Sequence, residues 1–170
     1  RNRLFLLYSM IQAITETGFN AQISTEDNRI DTSVASTQIR FLVKFINDLD
    51  GSIAYAYPIL TFGILPRYTQ MSFVWYLTTP NMYIGGINLL PAGHWKYEIY
   101  EVSWIGAIVL SLETAPATET DVLPVANTHG VVQGIVTKGI LNLTEKAGTE
   151  QVQYTQHPEP SGTNTIYYGQ

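Results

Sequence analysis

From Gln38 to Asn47, Ile39, Phe41, Val43 and Phe45 alternate with Arg40, Leu42, Lys44 and Ile46. Period two over this length predicts a strand with one face in a core. Asp48-Leu49-Asp50-Gly51 follows as a turn ending on glycine, so a hairpin into Ser52–Tyr57 is expected. Pro58 and Pro66 confine what comes next to an edge or a break. Met71–Leu77 reads as a further strand, with Phe73, Trp75 and Leu77 on one side, and Thr78-Thr79-Pro80-Asn81 turns the chain again. Met82–Leu90 is a weaker strand interrupted at Gly85-Gly86, by a bulge or a close backbone approach. Trp104–Leu112 is apolar but short and contains Gly106, which favours a buried strand over a helix. Glu113–Asp121, rich in Thr, Ala, Pro and Glu, reads as a loop. Val131–Val136, Lys138–Leu143, Gln151–Thr155 and Thr165–Tyr168 are expected as short strands set off by turn residues.

The centre of this pattern is Leu90–Glu101. Pro91 and Gly93 bend the chain, and Trp95, Tyr97 and Ile99 then share a face opposite Lys96, Glu98 and Tyr100. A turn entering a strand through Gly93, Trp95 and Tyr97 resembles the corner of immunoglobulin-like sandwiches, where an aromatic polar group bonds backbone upstream. Tyr97 has the hydroxyl for that bond, while Trp95 lies nearer the expected offset from Gly93. The same residues also suit a plain core strand with three large anchors.

Many short strands separated by turn signals predict an all-β fold, an immunoglobulin-like or jelly-roll-like antiparallel β-sandwich with an extended N-terminal arm. The division expected is an arm or extended segment over residues 1–37 and a sandwich domain over 38–170. Thr15–Thr37 is polar and short of large apolar residues, as an arm would be. Ahead of it, Leu4–Ile11 looks superficially like a signal peptide, but the run is too short to cross a bilayer and no small-x-small cleavage pattern follows. Two readings stay open there: residues 1–9 are a strand or short helix that docks on a neighbour, or Met10 is the initiator and they lie upstream of it.

Composition narrows the chemistry. Hydrophobic residues make up 45% of the 170, enough for a real core, whereas charged residues are only 14%, against roughly 25% in typical domains. So little charge leaves a surface covered by Thr, Ser, Asn, Gln and Tyr, or by other subunits. Net charge is −5 and the nine basic residues are scattered, so the basic footprint of a nucleic-acid binder is missing and no direct nucleic-acid partner is expected. No membrane partner is expected either. The chain has no cysteine, which removes disulfides, thiolate metal ligands and thiol nucleophiles. His94, His129 and His157 lack zinc-ligand spacing, and Glu26–Asp31 matches a calcium loop in composition only. There is no Gly-x-Ser-x-Gly elbow, and Gly85-Gly86 does not open a helix as a phosphate loop would. Glu98 and Glu101 have an odd separation that places them on opposite strand faces, so they do not form a glycosidase pair. Asn142-Leu143-Thr144 is a glycosylation sequon of the kind that arises freely by chance. No enzyme, cofactor or metal is expected. Trp75, Tyr76 and Tyr100 remain as aromatics able to stack on a sugar, to pack between proteins, or simply to fill core and rim.

Ile39-Arg40-Phe41-Leu42-Val43-Lys44-Phe45-Ile46-Asn47-Asp48, the Pro91–Glu101 corner, Val132 with Gly134-Ile135-Val136, and Asn164-Thr165-Ile166-Tyr167-Tyr168 occur in that order. This plan resembles that of small β-sandwich virion proteins of tailed phages, among them the crAss-like group and marine relatives. The resemblance runs from about Met10 onward, with the corner as its most specific piece; after Glu101 the chain departs, with Val102-Ser103-Trp104-Ile105 in place of a polar loop. It implies a structural component located in the virion, repeated by symmetry on the capsid, at the neck or along the tail. Its partners would be itself and other virion proteins. On that reading Arg29 and Ile30 of the arm, and Ile166, Tyr167 and Tyr168 near the end, are candidate subunit contacts. The competing expectation is a carbohydrate-binding or adhesion module that uses Trp75, Tyr76 and Tyr100.

Overall fold

The computed structural model describes residues 9–147. They form two packed β-sheets, so the all-β sandwich expected from the alternation is the fold. The strands are β1 (Ser9–Ile14), β2 (Phe19–Ile23), β3 (Ile39–Asn47), β4 (Ile53–Ala56), β5 (Ile59–Ile64), β6 (Thr69–Trp75), β7 (Gly86–Ile87), β8 (Gly93–Ser103) and β9 (Val131–Thr144). The five-stranded sheet runs β1-β9-β8-β3-β4, and β2-β6-β5 with β7 on β6 make the second. Pairing is antiparallel except for β1 with β9 and β6 with β7, which are parallel.

The alternation of β3 and β8 sets the register. Asn47 lies opposite Trp95 and Ile39 opposite Ser103, so Phe41, Val43, Phe45, Trp95, Tyr97 and Ile99 enter one core. The second sheet contributes Ala21, Ile23, Met71 and Phe73, with the Phe45 ring edge-on to Phe73 at 5.4 Å between centroids. The β3–β4 turn forms where expected: Leu49 N–H donates to the Asn47 side chain at 2.7 Å, and Gly51 takes a positive φ of 72°.

Other expectations change. The described part of the segment read as an arm is built into the sandwich, since β1 pairs with β9, β2 pairs with β6, and Ile11, Ala13, Ala21 and Ile23 are core residues. Phe19-Asn20-Ala21-Gln22-Ile23 alternates correctly, but small Ala21 and short length make it read as polar loop. β6 begins at Thr69 and stops at Trp75, leaving Leu77 exposed beyond it. Met82–Leu90 is mostly not strand: Met82–Ile84 is a 3-10 turn capped by Asn81, Gly85 has φ 75°, and only Gly86–Ile87 pairs. The close approach lies at Gly86, where a Cβ would stand 2.5 Å from the Asn81 carbonyl oxygen. Residues 131–144 are one long strand with register shifts opposite Tyr100 and Val102, rather than two short ones.

The largest correction concerns Trp104–Leu112, which is not a strand. Trp104 N–H still donates to the Gln38 carbonyl, but β3 begins only at Ile39, so no neighbouring strand continues beyond that point. The chain from Ile105 to Gly130 therefore leaves the sheet as an irregular strap that bonds to itself, with Gly106 N–H to Asn127 O and Gly130 N–H to Thr114 O, both at 2.8 Å. The strap covers part of the five-stranded sheet's outer face. Leu42, Tyr57, Val102, Trp104 and Ala115 form a second buried cluster there, flanked by Tyr55, Tyr83, Tyr100, Ile108 and Leu110.

Candidate functional site

Three side-chain constellations stand out, beginning at the corner. The Trp95 indole N–H donates to the Pro91 carbonyl at 3.0 Å, reaching back four residues across the turn. Trp95 thus makes the upstream bond of the corner, and Tyr97 is fully buried in the main core. Gly93 has φ 135°, a conformation that favours glycine, and it sits at the first pair of β8 with β9. Asp48 N–H to His94 O at 3.0 Å and the Lys96–Asp48 ion pair at 2.7 Å tie the corner to the β3–β4 turn. These are packing and hydrogen-bond roles.

The second constellation is a carboxylate clip. Glu101 is completely buried, and its two oxygens accept the Ile30 N–H at 3.0 Å and the Asp31 N–H at 2.7 Å. Arg29 closes the same loop on itself, donating to the carbonyls of Asp31 and Val34 and pairing with Glu26. Arg29, expected at a subunit contact, is therefore occupied within its own loop, and Ile30 is partly exposed beside Gly134. Ile166, Tyr167 and Tyr168 lie outside the described residues.

The third is the latch of the strap. Glu119 takes a hydrogen-bonded ion pair from Lys44 and the Tyr55 hydroxyl at 2.6 Å, and the Tyr57 hydroxyl donates to Pro116 O at 2.6 Å. Beside them the Tyr100 hydroxyl donates to Glu98 at 2.7 Å. Burial works to raise the Glu119 carboxyl, but the hydrogen bonds from Lys44 and Tyr55 outweigh it and hold the group below the ordinary range. Burial, and then the bond to a carboxylate, push Tyr55 and Tyr100 well above the usual phenol value; burial does the same to Tyr57. Each of these hydroxyls is a protonated donor at neutral pH, as its hydrogen bond requires.

The aromatics expected to stack do not share a platform. Trp75 and Tyr76 sit half-buried at the end of β6 in one sheet, and Tyr100 is on β8 in the other with its hydroxyl engaged. Among the described residues no group of three or more His, Asp or Glu could hold a metal ion. An open cleft of about 300 Å³ is lined by Ser36, Thr37, Arg40, Leu60, Phe62 and Ile64, but Arg40 already donates to the Thr37 and Ile39 carbonyls. Exposed apolar side chains are spread over the surface, Leu49, Phe62 and Leu77 among them, and several lie on the strap. Ile105 is 70% exposed, Leu112 75% and Val122 93%, with Val109 and Val125 also outside.

The clip and the latch went unseen in the sequence. Glu101 sits in the alternating run at a core-facing position, which was a usable signal; Glu119 lies in a loop and carries none. No protein-family model matches the chain, and neither the curated proteins nor the solved structures contain a match.

Proposed function

We propose that this protein is a structural component of a tailed-phage virion, a β-sandwich subunit that contacts copies of itself or neighbouring capsid, neck or tail proteins. The observation that carries this reading is the strap. It is fastened to the sheet by Glu119 and by Tyr57, yet turns Ile105, Val109, Leu112, Val122 and Val125 outward. Branched apolar side chains presented on a pinned segment suit a protein contact, because the segment is already ordered before a partner arrives. Low charge and the resemblance along β3 and the corner point the same way. Mass spectrometry of purified particles, with light scattering of the isolated protein, tests the reading. The chain is expected among the particle proteins at a symmetric copy number. A protein that stays monomeric and is absent from particles ends the proposal.

A further inference from the structure

The four outermost long strands of the two sheets are β1, β4, β5 and β2, and they are not equally guarded. An open edge carries unpaired N–H and C=O groups that invite another strand, and proteins normally blunt it with charge, proline, bulges or cover. β4 is four residues long, and the 3-10 turn reaches it through Tyr57 N–H to Met82 O at 2.7 Å. β5 carries an irregularity between Leu60 and Ile64 with Gly63 at φ 69°, and Pro58 and Pro66 bracket it. β2 turns only Asn20 and Gln22 outward. β1 is different. Ser-Met-Ile-Gln-Ala-Ile contains no charge and no proline, its six residues pair with β9 in unbroken register, and Met10 and Ile14 are 60% and 49% exposed. Among the described residues, nothing pairs with its other side.

The geometry points to a second copy of this chain as the occupant, with β1 pairing antiparallel to β1 of that copy across a two-fold axis at Gln12. Chemistry along the strand is symmetric about that residue. Met10 meets Ile14 of the second copy, bulky Ile11 meets small Ala13, and the two Gln12 amides face each other. Apolar thus opposes apolar, large opposes small, and amide opposes amide, the cross-strand matches that stabilise a sheet. An isologous contact of this kind closes on itself as a dimer rather than growing into a fibre. The Gln12 amide is already oriented from its own sheet, its oxygen accepting from Asn142 at 3.0 Å and its nitrogen donating to the Met10 sulfur at 3.1 Å. The absence of charge on β1 favours an equally neutral strand over a basic or acidic partner. This pairing deepens the structural reading above and rests on it for the kind of partner. A strand pair alone buries less than the roughly 1,000 Å² expected of a stable interface, so in free solution the dimer forms with rising concentration.

The cysteine-free chain makes the test direct. Residues directly opposite in an antiparallel pair have Cα atoms about 4.5–5.5 Å apart, within disulfide reach. Under mild oxidation Gln12→Cys is expected to yield a covalent dimer of twice 19.0 kDa, while Gln22→Cys on β2 stays largely monomeric. Light scattering of the unmodified protein rises toward the same mass at high concentration. Met10→Lys with Ile14→Lys sets lysine against lysine and abolishes the association; Met10→Lys with Ile14→Glu sets opposite charges together and restores it. Circular dichroism confirms that each variant is folded. A folded protein that stays monomeric and cross-links no better through residue 12 than through 22 overturns the proposal, as does failure of the Lys/Glu pair to restore what the Lys/Lys pair removes. So does hydrogen exchange showing, within a monomer, protection of those β1 amides that point away from β9. Presence of the chain in particles without this pairing would sink the pairing alone, and pairing without presence in particles would sink the virion reading alone.

Discussion

The five-stranded sheet has an apolar cluster on each side, and the two are made differently. Between the sheets, Phe41, Phe45, Trp95, Tyr97, Met71 and Phe73 come from strands whose alternation places them there. On the outer side, Leu42, Tyr57, Val102 and Trp104 are covered by an irregular strap held through side-chain hydrogen bonds. The inner cluster rests on area removed from water. The outer one adds a few oriented polar bonds, because a strap without ladder hydrogen bonds has to be pinned in place.

That difference can be broken at graded points. Phe45→Ala removes a fully buried ring in edge contact with Phe73 and is expected to cost about 4 kcal/mol in denaturant unfolding. Glu101→Ala strands two N–H groups of the Ile30–Asp31 loop and should cost about 3 kcal/mol. Glu101→Gln, which keeps one acceptor, should recover part of that loss. Tyr57→Phe deletes only the bond to Pro116, so about 1 kcal/mol is expected. Hydrogen exchange should quicken in the strap and not in β3, which sharpens the distinction between the two sides.

Glu119→Gln tests the latch by pH. Its folded carboxyl lies below the ordinary value of 4.5, so the stability it contributes is complete above the unfolded value and is lost as pH falls through the folded one. The melting temperature of Glu119→Gln should lie below that of the unmodified protein at pH 7, by the equivalent of up to about 1 kcal/mol for a partly exposed pair. The gap should close on acidification below about 4.5. Equal gaps at both pH values would remove the latch from the account. Smallest of all, Ile105→Ser is expected to change stability by less than about 0.5 kcal/mol, while weakening association if the strap is a contact surface.

The sequence made the inner cluster legible because period two is enforced wherever a strand has one wet face and one dry face. β3 and β8 are legible for that reason, β6 only in part, since it runs Thr69–Trp75 and leaves Leu77 outside, and the β3–β4 turn is legible because Asp50-Gly51 marks it. The outer cluster was not legible. An apolar run such as Trp104–Leu112 says that something is to be buried, but not whether a neighbouring strand extends far enough to pair with it. β9 was split because Gly134 and Gly139 look like breaks in one dimension, whereas pairing with β1 and β8 carries the strand through them. At the corner, the offset from Gly93 favoured Trp95 and the hydroxyl favoured Tyr97; only the folded turn shows the indole reaching Pro91. The Glu119 latch joins residues 75 and 64 positions apart, beyond any local signal.

The parallel pairing of β1 with β9 has a temporal consequence. Gln12 and Asn142 are 130 residues apart, so at a synthesis rate of roughly 5–20 residues per second β1 emerges from the ribosome on the order of ten seconds before its mate exists. During that interval a neutral, unaccompanied strand is free to meet the same strand on a neighbouring nascent chain of the same message. Polysomes, rather than the finished pool of protein, are therefore where partnering between copies would begin, and ribosome-bound Gln12→Cys chains truncated before Val131 should already cross-link to one another through β1.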